Sequence, residues 1–252
     1  MKTIIYGSLG TMGQLATAYF KSQNIEVIEV DVFGQNQTVY TDIKDVSDAD
    51  VIIDFSHPSQ IDALLTYAID KKIPLVIATT GYNETQTAQI HQAAKHIPIF
   101  KSANLSLGIH LLRSILKDYT KVLEKYYDIE IIEKHHRQKV DAPSGTAHLL
   151  LDTIQNASLH HITAVTDRYT AQQKRTRHEV GITSIRAGQI VGEHTVLFAS
   201  DDDVIELTHK AQSKMMFVKG AWLATNFIKS QKPGLYTMDD IPLQEMIDDV
   251  NN

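Results

Sequence analysis

The sequence has no cysteine, which excludes disulfides, thiolate zinc sites, iron–sulfur ligation and a cysteine nucleophile. That absence fits a reducing compartment, and the chain is expected to be cytoplasmic. It also lacks any apolar run near the roughly 20 residues needed to cross a bilayer, so no membrane partner is expected. With 6 prolines and 12 glycines it is too poor in both for a linker-rich or low-complexity protein. Positive charge is in deficit, 24 Lys and Arg against 30 Asp and Glu, for a formal net charge of −6. A broad electrostatic footprint for nucleic acid is therefore not expected. Lys2 followed by Ile4, Ile5 and Tyr6, with the small triplet Ala16-Thr17-Ala18, has the look of a secretory leader. The apolar run breaks at Gly7-Ser8, however, and no leader is expected.

What remains is ordinary globular usage, 43% hydrophobic and 21% charged. A length of 252 residues predicts one large domain or two small ones. The first half alternates strand and helix signals. Strands are predicted over 2–6, 25–30, 51–53, 75–78 and 97–100. Between them lie helical stripes such as Met12, Leu15, Ala16, Tyr19 and Phe20, or Ile61, Leu64, Leu65, Ala68 and Ile69. Such alternation predicts parallel pairing, right-handed crossovers and an α/β doubly wound sheet that binds ligands outside the carboxyl ends of its strands. The pattern changes near residue 105. A long helix over 107–126, a strand over 128–134 and a helix over 146–155 come next. Four strand-like segments follow, at 162–167, 180–186, 194–199 and 204–208. They have hairpin spacing and turn residues at Ala187-Gly188 and Asp201-Asp202-Asp203, which predicts a separate, more open sheet. A last apolar helix over 215–228 precedes a tail containing Gly and Pro, and the polar segment 169–178 reads as a mobile loop.

Two segments carry chemistry. Gly7, Gly10 and Gly13 lie in G-S-L-G-T-M-G, after a strand and at the start of a helix. Such a loop lets backbone amides and a helix N-terminus approach a pyrophosphate. Asp31 ends the next strand, 18 residues past Gly13, where a carboxylate can accept hydrogen bonds from a ribose diol. The alternative is a tight strand–helix turn with no ligand. Neither Val32 nor Thr11 is basic, so no 2′-phosphate anchor is evident and NADH is expected over NADPH.

The second segment is E-K-H-H-R-Q-K-V-D-A-P-S-G-T-A, residues 133–147. His135, His136, Arg137 and Lys139 concentrate positive charge in an acidic chain, and Ser144, Gly145 and Thr146 form a helix start that suits an anion. Together they predict a pocket for a small molecule with more than one carboxylate, with histidine available for proton transfer near neutral pH. Three other uses of the cluster stay open: a metal site, although no acidic or cysteine partner has ligand spacing and no metal is expected; a solvated basic surface; and a nucleic-acid contact.

These segments resemble the dihydrodipicolinate reductase family of bacterial lysine biosynthesis, and the resemblance covers nearly the whole chain. The most specific block is H-H-x-x-K-x-D-A-P-S-G-T-A at 135–147, supported by D-F-S at 54–56, A-T-T-G at 78–81 and S-A-N-L-S-L-G at 102–108. R-A-G-Q-I-V-G-E-H at 186–194 and K-P-G-L-Y-T-M-D-D at 232–240 add to it.

The resemblance implies a Rossmann-like domain formed by residues 1–105 and 216–252. It also implies a central α+β substrate and oligomerisation domain, residues 106–215, with an open mixed sheet through which a homotetramer assembles. It implies NAD(P)H-dependent reduction of 4-hydroxy-tetrahydrodipicolinate, in the pathway to lysine and diaminopimelate. His135 would be the acid/base and Lys139 the proton donor. His136, Ser144, Gly145 and Thr146 would contact the substrate. Gly7, Ser8, Leu9, Gly10, Thr11, Met12, Asp31, Ala78, Thr79, Thr80, Ser102, Ala103, Asn104 and Leu105 would line the cofactor. Thr11 and His57 stand where the family is commonly basic, which again favours NADH; Ala78 replaces a frequent Gly, and Lys214 a frequent Arg. With cofactor and substrate on different domains, closure about a hinge is expected. The competing functions are another two-domain NAD(P)-dependent dehydrogenase of amino-acid metabolism, or a non-enzymatic Rossmann regulator that senses NADH.

Overall fold

The computed structural model describes residues 1–34 and 38–242 of the chain. The chain divides into two compact units, Met1–Ser106 with Met215–Asn252, and Leu107–Lys214. The limits expected from the sequence differ from these by one residue at each junction, and the last ten residues of the expected first domain, 243–252, lie outside the described residues.

The first unit is built as strand β1 (Lys2–Tyr6), helix α1 (Thr11–Ser22), β2 (Glu26–Val30), β3 (Val51–Asp54), α2 (Ile61–Lys71), β4 (Leu75–Ile77), α3 (Glu84–Ala93) and β5 (Pro98–Lys101). All its pairings are parallel. The inner strands β1, β3, β4 and β5 are short and buried on both faces, as crossover helices demand: Ile4 and Ile5, neighbours on β1, are both fully buried. Ile4, Ile52, Leu75 and Ile99 form one core with Leu64, Ala68 and Ile90 of α2 and α3.

The second unit contains α4 (Leu107–Leu123), β6 (Asp128–His135), α5 (Gly145–Ala157), β7 (Thr163–Val165), the single turn α6 (Arg168–Ala171), β8 (Glu179–Arg186), β9 (Gly192–Ala199) and β10 (Val204–Ala211). The chain then returns to the first unit with α7 (Met215–Ile228) and β11 (Gly234–Tyr236). Phe227 of α7 packs edge-on to Phe100 of β5 at 6.2 Å, and Trp222 packs against Phe20 of α1 at 5.1 Å. Helices thus cover both faces of a six-stranded sheet of order β11-β5-β4-β3-β1-β2. The order reverses direction beside β1, which is where ligands bind in doubly wound sheets. The expected doubly wound parallel sheet is present. Its sixth strand, β11, lies within the tail that the sequence left without structure.

The second sheet is mixed, of order β10-β9-β6-β8-β7. Strand β6 pairs parallel with β8 and antiparallel with β9. The hairpin spacing therefore holds for β9 and β10 but misleads for β8 and β9: the turn at Ala187-Gly188 joins strands that have β6 between them. On one face, Ile129, Ile131, Val180, Val196 and Phe198 form a core with Leu112, Leu116, Leu150 and Ile154 of α4 and α5.

Segment 169–178, read from the sequence as a mobile loop, is tied down by arginine. Arg175 donates to Asp128 Oδ1 at 2.7 Å, to Glu130 Oε1 at 3.1 Å and to the carbonyls of Ile129 and Glu179. Arg168, just before it, pairs with Glu130 and Glu179.

Candidate functional site

In the first unit the glycine loop fills the turn from β1 into α1. Gly7 has φ +82°, and a Cβ on it would come within 2.7 Å of the Phe55 and Ser56 backbone. A Cβ on Gly13 would lie 2.1 Å from the Gly7 carbonyl oxygen. Both positions are glycine because backbone occupies the space a side chain would need. Gly10 caps α1 without any side-chain bond, so the first amides of the helix are not consumed by a cap. Ser8 is buried, and its hydroxyl has no partner among the described residues.

This loop borders a cleft of about 510 Å3 lined by Gly7, Leu9, Gly10, Asp31, Phe33 and His57 among others, with no Lys or Arg among the described residues that line it. Thr11 and Met12 open α1. Asp31 is buried, and its carboxylate accepts the Leu9 amide at 3.0 Å and the Phe33 amide at 3.0 Å. The carboxylate expected at a ribose therefore also anchors the glycine loop. Tyr6, at the cleft floor, donates to Gln60 at 3.1 Å. Burial first, and then the charges of Asp54, Asp42 and Asp31, push its hydroxyl up to about 12.

Ala78, Thr79 and Thr80 follow β4 at the carboxyl edge of the same sheet. The Ala78 amide and the Thr79 hydroxyl both reach the Asp54 carbonyl, at 3.0 and 3.4 Å. The buried Asp54 carboxyl accepts from Ser56 and from Tyr82, tying this turn to the end of β3. Burial raises its pKa against those hydrogen bonds. After β5, Ser102 and Asn104 shape a turn: the Ser102 hydroxyl donates to the Asn104 carbonyl at 2.8 Å, and Asn104 Oδ1 accepts the Ser106 amide at 2.8 Å. Ala103 sits within this turn. Leu105 is buried with its carbonyl against Gly220 of α7, so its side chain serves the core.

In the second unit the basic block clusters at the end of β6. Glu133 and His135, two residues apart on a strand, point to the same face. Glu133 is fully buried and His135 nearly so. His135 Nδ1 lies 2.6 Å from Glu133 Oε2. Arg186 of β8 grips both carboxylate oxygens, at 2.7 and 2.6 Å, and its Nη2 also donates to the Asp141 carbonyl at 2.6 Å. Burial would raise the Glu133 pKa, but bonds from Arg186, Ser184 and His135 outweigh it and hold it at about 2. Burial pushes His135 down, helped by Lys139 and Arg186 and opposed by Glu133. His194 of β9 packs edge-on to His135 at 5.1 Å and is lowered by burial to about 4.

Ser144 starts α5. Its hydroxyl accepts the Ala147 amide at 3.2 Å and meets His194 Nε2 at 2.9 Å, while its own amide donates to Glu133 Oε1 at 3.2 Å. Ser144 thus uses its polar groups on the protein, and Gly145 and Thr146 form the first turn that faces outward from it. His136 follows β6, its carbonyl accepting the Lys139 amide at 3.1 Å. Lys139 Nζ pairs with Asp141 Oδ1 at 2.7 Å. An ammonium, a neutral imidazole and a helix N-terminus are thereby gathered on one wall, suited to an anionic ligand that exchanges protons.

Residues 1–105 match the family described as dihydrodipicolinate reductase, N-terminus, and residues 108–241 its C-terminus. The chain belongs to the dihydrodipicolinate reductase family. A relative from Caldanaerobacter subterraneus subsp. tengcongensis, 4-hydroxy-tetrahydrodipicolinate reductase, is 45% identical over 96% of this chain and 98% of its own. The enzyme of that name from Clostridium tetani is 44% identical over 95% and 96%. The fold is shared with dipicolinate-bound dihydrodipicolinate reductase from Paenisporosarcina sp. TG-14, with a TM-score of 0.79 at 22% identity over 96% of this chain and 99% of that one. Membership makes the chain an oxidoreductase with a nicotinamide cofactor, and sets aside the dehydrogenase of another class and the non-enzymatic regulator.

Against that family, sequence reasoning missed Glu133, Arg186 and His194 as members of the cluster. Glu133 was signalled by period-two spacing from His135. Arg186 and His194 bound a quoted motif, but only the pairing of β6 with both β8 and β9 brings them in.

Proposed function

We infer that this chain reduces 4-hydroxy-tetrahydrodipicolinate to tetrahydrodipicolinate, taking up a hydride and a proton and releasing water, as a cytoplasmic enzyme of lysine and diaminopimelate synthesis. The observation that carries this reading is the cluster at the end of β6. It combines a basic wall for a dicarboxylate with two groups able to exchange protons, His135 and Lys139. His136, Gly145 and Thr146, with Ser144 shaping the helix start, hold the substrate carboxylates.

The glycine loop fits a dinucleotide: it is a cradle that a Cβ on Gly7 or Gly13 would fill, and it holds a buried serine hydroxyl without a partner among the described residues. Gly7, Ser8, Leu9, Gly10, Thr11 and Met12 would hold the pyrophosphate and Asp31 the adenosine ribose. Ala78, Thr79, Thr80, Ser102, Ala103, Asn104 and Leu105 form the further edge of that site. When bound, the reduced nicotinamide supplies the hydride. NADH is preferred over NADPH, because Asp31 is a fixed negative charge and the described cleft lining has no basic residue to meet a 2′-phosphate.

The protein's own groups manage charge and protons. Lys139, cationic and next to the ring, stabilises negative charge as it develops and donates the proton. Hydride transfer needs reacting atoms within about 3–3.5 Å of one another.

The second sheet supports assembly. Its helices cover one face, while Ile132, Ile185 and Leu197 lie on the other, and Ile185 is 38% exposed. The same face carries Glu130, Lys134 and Glu193, and a mixed apolar and charged strand face of this kind suits a protein partner. We assign that role to further copies of the chain, in a homotetramer.

The test is NADH oxidation by the purified chain with substrate made in place from pyruvate and aspartate semialdehyde. NADH should be consumed only when both precursors and their condensing enzyme are present; no consumption overturns the reading. In crystals soaked with pyridine-2,6-dicarboxylate the ligand should lie at residues 135–146, and a ligand lodged elsewhere overturns the site.

A further inference from the structure

We propose that Glu133 is the positioning residue for His135: clamped by Arg186, its carboxylate keeps the imidazole proton on Nδ1, so that Nε2 faces the substrate as a bare acceptor and the proton given to the ring comes from Lys139. This deepens the reading of the site just given and rests on it.

A carboxylate removed from water needs its lone pairs met by donors. Glu133 has them from Nη1 and Nη2 of Arg186, the Ser144 amide, His135 Nδ1 and the Ser184 side chain. It stays ionised, with its pKa at about 2. An ionised carboxylate has no proton to give, so in the 2.6 Å contact the donor is Nδ1–H. A neutral imidazole carries one ring proton, and with that proton on Nδ1 the other nitrogen is bare.

The groups that face His135 are Glu133 on its own strand, Arg186 on β8, His194 on β9 and Lys139 on the loop that follows. Burial lowers His135 most, the cations of Lys139 and Arg186 add to it and Glu133 opposes them, so His135 is the neutral form at neutral pH. The surroundings of Nε2 agree. A Cβ on Gly192 would come within 3.1 Å of it, so the absence of a side chain there leaves that nitrogen approachable. Arg186 also bonds the Asp141 carbonyl, so one guanidinium fixes both the base and the loop that carries Lys139. A bare Nε2 accepts a proton and cannot start by giving one. As the hydroxyl leaves, His135 takes the ring C–H proton and passes it on, so that the hydroxyl departs as water; Lys139 gives the proton that accompanies the hydride and is recharged from solvent, which supplies the one proton consumed per turnover.

A buried ion pair that serves stability alone would leave the tautomer and the pH profile indifferent to Glu133. The decisive measurement is 15N NMR of histidine-labelled full-length protein, with His135 assigned by its loss in His135→Gln. Above the pKa of His135, the Nδ1 signal should be of the protonated type and the Nε2 signal of the bare type. In Glu133→Gln the proton should spread over both nitrogens. Because the lost negative charge had favoured the imidazolium, the acid limb of kcat/KM should move to lower pH. The kcat should fall about tenfold or more, with KM for NADH unchanged. An Nε2–H tautomer in the unmodified protein overturns the proposal, and needs no variant to fold. So does a Glu133→Gln enzyme that keeps both tautomer and acid limb. If His135→Ala turned over normally, the reading of the site would fall, and this proposal with it, whatever the tautomer.

Discussion

Nζ of Lys139 lies 2.7 Å from Oδ1 of Asp141, so the ammonium of the cluster rests on a carboxylate of its own loop. The Asp141 side chain is 57% exposed, and Lys139, at 23%, is the more sheltered partner. A substrate carboxylate has to compete with Asp141 for the same cation. Asp141→Asn should therefore tighten binding of pyridine-2,6-dicarboxylate, by up to about fivefold, because exposed pairs are worth about 0.2–1 kcal/mol. Calorimetric titration measures this, and weaker binding would show that Asp141 helps to hold the ligand.

Removing either proton-handling group should act on turnover alone. His135→Ala and Lys139→Ala should each lower kcat about 100-fold or more while leaving NADH affinity, read by fluorescence titration, nearly intact. Unchanged kcat in both removes the mechanism.

Asp31 has two tasks that one substitution separates only by ratio. Its oxygens accept the Leu9 and Phe33 amides, so Asp31→Ala loosens the loop and weakens both dinucleotides. Loss of the carboxylate should nevertheless weaken NADH far more than NADPH, since only the 2′-phosphate is repelled by it. The KM ratio of the two cofactors is the readout. An unchanged ratio would show that the carboxylate does not meet the ribose.

Much of this architecture is legible in the sequence, because it is local. Strand and helix periods place β1 to β5 and α1, and the spacing of Gly7, Gly10 and Gly13 between a strand and a helix marks the loop. What escapes is set by partners far along the chain. The turn at Ala187-Gly188 is real, yet it says nothing about β6 entering between β8 and β9. Strand β11 is three residues, Gly-Leu-Tyr, too short for any period; it exists because β5 offers an edge. In the cluster, His135 and Lys139 announce themselves by composition. Arg186 and His194 are brought in by register, Arg186 opposite His135 and His194 opposite Glu133.

Gly13→Ala tests the tightness of the first unit. The new methyl would meet the Gly7 carbonyl at 2.1 Å, and backbone has to move. Overpacking of this kind costs about 1–3 kcal/mol. The melting temperature should fall and NADH affinity with it; a variant as stable as the parent would show that the turn is pliable.

Acid should unfold the protein in two stages. His194 sits at about 4 against an ordinary 6.5, kept neutral by burial. Below pH 6.5 the unfolded chain takes up a proton that the folded one refuses, so stability is lost as pH falls from 6.5 through 4. Glu133 and Glu179 sit at about 2 against 4.5; burial opposes this, and Arg186 and Arg168 outweigh it. Their contribution is complete above 4.5 and disappears as pH falls towards 2. Asp54, raised by burial, works the other way and softens the loss. Melting followed by circular dichroism across pH 7 to 3 should show a decline that begins above pH 5; a flat profile down to 4.5 would contradict the neutral state of His194.

The sheet of the first unit is closed at one edge by β11, and one of its faces is covered by α7, both encoded after the whole of the second unit. On the ribosome the middle section emerges with all its strands and helices already made, whereas the glycine-loop half waits with a bare strand edge and an incompletely covered apolar face until residues 215–236 are made. Nascent chains cut short before residue 215 should therefore hold a finished substrate half beside an unfinished cofactor half, and a translating cell would need to shield that open edge from its neighbours.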